Sequence, residues 1–405
     1  MTDPSEKTLE RQIRAFHWVR LLSEIPTRPG GAAAAAEAAH RIEAWLREIG
    51  IEEVENRPAG DRASTALSVA LHLGLGAVAC VLSGLLGSAL AGFVAVSFHR
   101  EARGRPLLSR WLPTLNLQNV IGRVGATSPS QRVVLSARID AAARPSCWES
   151  VARWMAERIP YGRRRLDPDV VPGTLLWLGA ASLLVGWLGA DALLVRGATA
   201  LIGLGLAAGT VLTLLWDRVG TSSSRQLRAS AAAAMLTATE QLLAQLPEGV
   251  ELWMVGCGGE RFGGAGLRSF VEAHTDWPVE ASYFVHFEPV GRGPLHYDCG
   301  AGSSARSDAS PTLLELARRV SESGVFGELS PSDRFESSEV GIAADAGFPT
   351  LFLVAQTDAP AGRGEQPERG APGAVDMPTV IRAADFGAAA ARAALRREAG
   401  PIAIL

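Results

Sequence analysis

From Ala63 to Phe98 the sequence runs "ASTALSVALHLGLGAVACVLSGLLGSALAGFVAVSF" without one Asp, Glu, Lys or Arg. A second stretch, 172–216, reads "PGTLLWLGAASLLVGWLGADALLVRGATALIGLGLAAGTVLTLLW" and has Asp191 and Arg196 in its middle. A bilayer core needs about 20 helical residues, so each run is too long for a single short crossing. The first fits two short helices turning near "GLLGSALAG", or one long tilted helix. The second splits at "ADALLVRG", where Asp191 and Arg196 would emerge in a polar turn. Small residues recur in both runs, among them Gly74, Gly76, Gly84, Gly87, Gly179, Gly186, Gly203, Gly205 and Gly209. In lipid such residues let helices approach closely. The competing reading is a pair of buried core helices, and continuous apolarity over this length argues against it. Two transmembrane hairpins are expected, 63–98 and 172–216, leaving 1–62, 100–171 and 217–405 as one polar domain.

The flanks set an orientation. Basic residues gather outside both runs at Arg62, at Arg100, Arg103, Arg105 and Arg110, at Arg163, Arg164 and Arg165, and at Arg218, Arg225 and Arg228. Only Arg196 falls in an expected far-side turn. The positive-inside tendency then places the polar domain in the cytoplasm of an integral membrane protein; in a bacterium the membrane would be the inner one. The charged N-terminus "MTDPSEKTLERQIRAFHW" has helical character and reads as no signal peptide. Ahead of the second run, Trp148, Val151, Trp154, Met155 and Ile159 recur at near-helical spacing beside basic residues. They fit an interfacial helix on the headgroups or an ordinary surface helix with a packed face. A net charge of −3 gives no reason to expect a nucleic-acid partner. The four cysteines, Cys80, Cys147, Cys257 and Cys299, form no CxxC pair and read as reduced or inert thiols.

With the apolar runs set aside, strands and helices alternate. "NVIGRV" (119–124), "QRVVLSARID" (131–140), "VELWMVGCGG" (250–259), "ASYFVHFEPVG" (281–291) and "PTLFLVAQ" (349–356) are strand-like. Helical segments are "AAAAAEAAHRIEAWLREIG", "SRQLRASAAAAMLTATEQLLAQL", "GLRSFVEAH", "SPTLLELARRVSES" and "TVIRAADFGAAAARAALRRE". This alternation predicts an α/β fold, a mixed, mostly parallel sheet covered by helices on both faces. Sites in such sheets lie at the carboxyl ends of strands.

One glycine turn, "CGGERFGG" (257–264), singles out a chemistry. Together with "SEIPTRPGG" before a helix and "VVLSARIDAA" at a strand end, it resembles the di-zinc aminopeptidases, metallopeptidase family twenty-eight. The likeness covers roughly 9–58 and 100–398. It implies five protein ligands around two zinc ions. The family's strand ends in H-x-D, and here Arg138 stands at the histidine while Asp140 remains. The helix that begins D-N-x-S-G in the family is similar to "LRASA", with Leu227 at the bridging aspartate and Ser230 kept. In the G-G-E-E turn Glu260 occupies the general base and Arg261 the next ligand. The following metal-binding aspartate falls on Glu288, and the terminal histidine near Pro372 if Asp376 matches the pattern's aspartate.

Of the ligand positions Arg138, Leu227, Arg261, Glu288 and Pro372, only Glu288 is of a type that binds zinc. Arginine is not deprotonated in proteins. Without a metal-bound water, Glu260 is a relic base with little to activate. The acidic Asp140, Glu260 and Glu288 would then take Arg138 or Arg261 as counter-ion in place of the metals. A shifted site is conceivable from two i, i+2 pairs, His286 with Glu288 and His296 with Asp298, although such residues are more often edge polar groups. Cys257 reads as a buried structural thiol, because no histidine is placed to activate it.

The expectation is an integral membrane pseudo-peptidase that acts as a binding or scaffold protein, as relatives lacking the full metal set do. Its partners would be membrane lipid and another membrane protein or a peptide segment; no cofactor is expected. One alternative is an active membrane-bound metallopeptidase with an unusual zinc site around Glu260, Glu288 and His286. The other is a membrane complex assembly factor whose soluble domain is a platform.

Overall fold

The computed structural model describes residues 4–25, 33–102, 105–140, 147–148, 151, 155, 169–189, 193–218, 225–259, 264–298, 311–327, 329–331, 341–355 and 375–396. Two helices open the chain, α1 (Pro4–Glu24) and α2 (Ala33–Glu48). The alanine-rich α2 buries Ala38, Ala39, Ile42, Trp45 and Leu46 on one stripe. Gly50 ends it with φ 104°, and the Gly50 and Ile51 amides return to the carbonyls of Arg47 and Leu46. Strand β1 (Glu53–Ala63) follows, then α3 (Thr65–Leu82), α4 (Gly84–Ala102), β2 (Thr114–Gly125) and β3 (Gln131–Arg138). Next come α5 (Val170–Trp187), α6 (Leu193–Arg218), α7 (Arg225–Leu243), β4 (Val250–Cys257), α8 (Ala265–Glu272) and β5 (Ser282–Phe287). The chain closes through β6 (Leu295–Asp298), α9 (Pro311–Glu322), β7 (Leu329–Pro331), α10 (Ile342–Asp345), β8 (Thr350–Ala355) and α11 (Met377–Arg396).

The strands form one eight-stranded sheet in the order β1-β2-β4-β3-β5-β8-β6-β7. Its centre, β4-β3-β5-β8, is parallel; β1, β2 and β6 join their neighbours β2, β4 and β8 antiparallel. Period-two alternation gives the sheet two apolar faces. Val133, Leu135, Ala137, Leu252, Met254, Val285 and Phe287 face the large core closed by α1, α2, α7, α9 and α11. Val134, Val255 and Phe284 face a smaller core closed by Leu267, Phe270 and Val271 of α8 and Ile342 and Ala343 of α10. This is the helix-covered mixed sheet expected from the sequence.

Both apolar runs fold as helical hairpins that pack together as a four-helix bundle. Leu73 of α3, Val94 and Phe98 of α4, Leu176 of α5 and Leu206 of α6 share one core. Glycines set the close approaches. A Cβ on Gly76 would lie 2.6 Å from Leu176 Cδ2, and one on Gly87 would lie 2.6 Å from the Ala79 carbonyl. The first run is a hairpin and not one long helix. It breaks at Ser83 (φ 49°) and Gly84 (φ 57°), just ahead of the expected turn. Arg196 lies within α6 and not in the turn before it.

Three of the four helices, Thr65–Leu82, Val170–Trp187 and Leu193–Trp216, are long and apolar enough to cross a membrane. The fourth, α4, has His99, Arg100 and Glu101 near its end. Large apolar side chains point outward around the bundle, with Val81, Leu193 and Leu194 each more than four-fifths exposed.

Trp148 is a packed residue and not one lying on headgroups. It is buried, its ring fills the notch above Gly209, where a Cβ would come within 3.0 Å of the indole, and its Nε1 donates to Thr213 Oγ1 at 3.0 Å. It belongs to the bundle core with Leu73 and Cys147. Trp154 and Ile159 lie outside the described residues.

Candidate functional site

The carboxyl ends of β3, β4 and β5 meet at one edge of the sheet. Arg138 is the last residue of β3, in register with Cys257 of β4. The ladder runs one step further, with the Ile139 amide donating to the Cys257 carbonyl at 3.0 Å, and so fixes where Asp140 leaves the sheet. On β5 the Glu288 amide donates to Leu353 of β8 at 2.9 Å. Ser136 is opposite His286 in the β3–β5 register. Alternation therefore brings Ser136, Arg138, His286 and Glu288 to the face that carries Val134 and Phe284. The smaller apolar core passes directly into a polar row.

That row is connected and buried. Arg138 Nη1 lies 3.2 Å from Glu288 Oε2, with both side chains at most 10% exposed. The sequence leads one to expect an arginine–carboxylate contact of this kind for Arg138. His286 Nε2 is 3.6 Å from Glu288 Oε1, and its Nδ1 is 2.9 Å from Ser136 Oγ. The His286 ring also stands 5.5 Å from that of Phe352. Removing either charge from so dry a position strands the other at a cost of several kcal/mol. The guanidinium and carboxylate therefore hold each other in place.

Asp140 acts on the next loop. Its Oδ2 accepts the Gly259 amide at 2.9 Å. Asn119 accepts the Gly258 amide at 3.1 Å through Oδ1 and donates to the Gly266 carbonyl at 2.8 Å. Gly259 needs its freedom, since φ is 84° and a Cβ would come within 2.7 Å of Leu117 Cδ1. The chain re-enters through Gly264 (φ 64°) into α8. Glu260 and Arg261, between these points, lie outside the described residues, as does Pro372.

Two helix ends close the site. Ser230 Oγ of α7 accepts the Val290 amide at 3.0 Å, just past Glu288. Leu227 is one turn earlier on α7, and its side chain lies outside the described residues. The Asp376 amide donates to the Gly291 carbonyl at 2.7 Å, which brings the start of α11 to the same loop. Thr379 donates its hydroxyl to the Asp376 carboxylate. The elements bearing Arg138, Asp140, Leu227, Glu288 and Asp376 thus converge at one end of the sheet.

A di-zinc centre does not fit the donors among the described residues. A guanidinium at Arg138 repels a cation and supplies no lone pair, and leucine offers none at position 227. Among the described residues no three His, Cys, Asp or Glu side chains are grouped to hold a metal ion. The pairs weighed for a shifted site lie on strands that do not touch. β8 separates β5 from β6, with Phe352 in register with both His286 and Asp298, so the pairs are about 10 Å apart across two strand spacings. His296 Nδ1 is instead 2.8 Å from Ser330 Oγ. The side chain of Asp298 lies outside the described residues. Cys257 is fully buried, with Sγ 3.5 Å from the Val255 carbonyl.

Ser136 and Asn119 were not singled out in the sequence. The only local signal was a polar residue interrupting an apolar strand, as Ser136 does in "VVLSAR".

No family model matches the chain, and no curated protein matches it. Solved structures do. The glutaminyl cyclase of Porphyromonas gingivalis aligns with a TM-score of 0.54 and 10% identity, over 94% of this chain and 97% of that one. A zinc aminopeptidase from Bacillus subtilis aligns with a TM-score of 0.52 and 14% identity, over 94% of each chain. The LapA aminopeptidase of Legionella pneumophila aligns with a TM-score of 0.50 and 8% identity, over 97% of this chain and 75% of that one. The chain shares the fold of zinc-dependent exopeptidases and glutaminyl cyclase.

Proposed function

We propose that this chain is an integral membrane protein built on a zinc-exopeptidase fold, and that it works by binding instead of hydrolysis. The observation that carries this reading is the Arg138–Glu288 pair. It places a fixed positive charge at the carboxyl end of the central strands, where the resemblance implies a zinc-binding histidine. A cation bound there would meet that charge in a dry site, where electrostatic repulsion is weakly screened. Without a bound metal, Glu260 would be a relic base with no polarised water to deprotonate.

The membrane part of the reading rests on the three apolar helices and on the outward-facing leucines and valines of the bundle. In water such a surface favours association or precipitation; in lipid it is the ordinary exterior. The basic flanks put the α/β domain on the cytoplasmic side. Its ligand would be a peptide segment or a second membrane protein reaching the sheet edge around Asp140 and Gly259.

The test uses full-length protein in detergent or lipid. Elemental analysis should find less than stoichiometric zinc. Incubation with aminoacyl nitroanilides and with a glutaminyl peptide, with and without added zinc, should give no turnover above a blank. Two zinc ions per chain, or zinc-dependent hydrolysis or cyclisation, would establish an enzyme and end the binding-protein reading.

A further inference from the structure

Where α4 leaves the bundle, the chain folds into a small knot before β2. Glu101 is turned inward and organises it. Its Oε1 accepts the amides of Leu107, Leu108 and Ser109 at 3.2, 2.8 and 2.9 Å, and Ser68 Oγ of α3 donates to its Oε2 at 2.5 Å. His72 Nε2 lies 3.6 Å from the same carboxylate. The Arg105 amide returns to the Arg100 carbonyl at 3.0 Å. These bonds tie residues 100–102 to 105–109 and fix what the knot presents outside.

Arg100, Arg105 and Arg110 are all exposed. Among the described residues none of the three makes an ion pair, and the one acid in the knot is occupied internally. Trp111 is 68% exposed, with the Arg110 guanidinium over its ring at 4.4 Å. One and two helical turns back along α4 from Arg100, Val96 and Phe93 are exposed apolar side chains. Three unpaired cations and an open indole thus sit at the point where an apolar helix surface ends. Several surface arginines elsewhere do have partners, as in Arg20–Glu24, Arg47–Glu43 and Arg318–Glu315.

We propose that this knot binds the phosphate headgroup of an anionic phospholipid in the leaflet facing the α/β domain. The proposal rests on the reading that the bundle lies in a bilayer. Charge complementarity identifies the occupant, and the continuous apolar face of α4 gives the acyl chains a place beside it. An indole at headgroup level is a common interfacial anchor. A basic side chain close to an anionic surface strengthens attachment about fivefold.

Full-length protein is reconstituted in phosphatidylcholine discs containing phosphatidylglycerol, then released into detergent. Retained lipid is counted by native mass spectrometry, and membrane integration is followed separately by resistance to carbonate extraction. The wild type should keep phosphatidylglycerol in preference to phosphatidylcholine. Joint replacement Arg100→Gln, Arg105→Gln and Arg110→Gln should weaken that preference by about fivefold per arginine while integration is unchanged. The three lysine replacements should retain most of it. Replacing Arg20, Arg47 and Arg318 by glutamine should leave it intact.

Equal retention by the wild type and the Arg100, Arg105, Arg110 glutamine variant, with both integrated, would overturn the headgroup site and leave the membrane reading standing. Loss of preference in the Arg20, Arg47, Arg318 variant as well would show general charge attraction and overturn the site. A wild type fully extracted by carbonate would overturn both.

Discussion

Arg138 Nη1 and Glu288 Oε2 lie 3.2 Å apart at the ends of two neighbouring parallel strands, buried on the face that also carries Ser136 and His286. Neither side chain can be understood without the other. An arginine alone at that depth, or a glutamate alone, would leave an uncompensated charge in a dry setting. Arg138→Met should therefore destabilise the α/β domain by about 3–5 kcal/mol, the usual cost of breaking a buried pair. Arg138→Met combined with Glu288→Leu should recover most of that loss. Thermal unfolding of the four proteins of this cycle, followed by near-ultraviolet dichroism, measures the coupling. Strict additivity of the two single losses would show that the pair is not an energetic unit.

The glycine turn makes a second prediction. Gly259 has φ 84° and no room for a Cβ beside Leu117, while its amide is held by Asp140. Gly259→Ala meets both backbone strain and a steric clash, so about 1–3 kcal/mol should be lost. Asp140→Ala should destabilise the same turn by leaving that amide without its acceptor, at about 1–3 kcal/mol. Proteolytic susceptibility between 257 and 264 reads the local effect in both variants. Unchanged protection would show that the turn is held by something other than these contacts.

A third concerns pH. Burial holds the Asp385 carboxyl above the ordinary aspartate range, with Gln241 and Arg11 working against it. Because the folded value is above the unfolded one, the ionised form is disfavoured in the native state. Stability should rise as pH falls through the folded value, and the gain should be complete near the unfolded value of about 3.9. Asp385→Asn removes this response and keeps an oxygen for the Gln241 amide. The difference between wild type and variant should therefore be flat at neutral pH and shift in the wild type's favour on acidification. A difference independent of pH would mean that Asp385 titrates as an exposed aspartate does.

The fourth is topological. β1 and β2 pair through Ala63 and Thr114 on either side of the first hairpin, so residues before and after it belong on one side of any membrane. Cysteines at Glu52 and Ser128, both exposed positions, should react with an impermeant maleimide only after the cytoplasmic face is opened. Labelling of one from outside and the other from inside would exclude the hairpin arrangement in the bilayer.

Local patterns in the sequence carried the helices and the central strands. Runs such as "VVLSAR" and "LFLV" have no other comfortable home than a covered sheet, and α2 and α7 declare themselves through alanine and leucine spacing. β1 was missed because Pro58 and Gly60 interrupt it, and a proline is tolerated there because β1 is an edge strand with a register shift between Pro58 and Asp61. β6 and β7 are too short to show a period. In the site, a contact of Arg138 with a nearby carboxylate was expected from the sequence, but the company of that pair was not. Ser136 meets His286 only because β3 and β5 adopt one register, and Asn119 reaches Gly258 and Gly266 across a chain distance that no local pattern spans. The place where Trp148 packs was illegible for the same reason, its notch being made by Gly209 on a helix that comes much later.

The pairing of Ala63 with Thr114 also bears on how the chain is made. A ribosome releases β1 well before β2, and everything from 64 to 113 must be disposed of before the two strands can meet. The same delay recurs between β3 and β4, which are neighbours in the sheet although the second hairpin separates them in sequence. Translation therefore delivers half-built sheet edges twice, and each is completed only after a helical pair has been made. If the hairpins enter a bilayer as proposed, failure of the sheet to close would be the first visible sign that one of them has missed it.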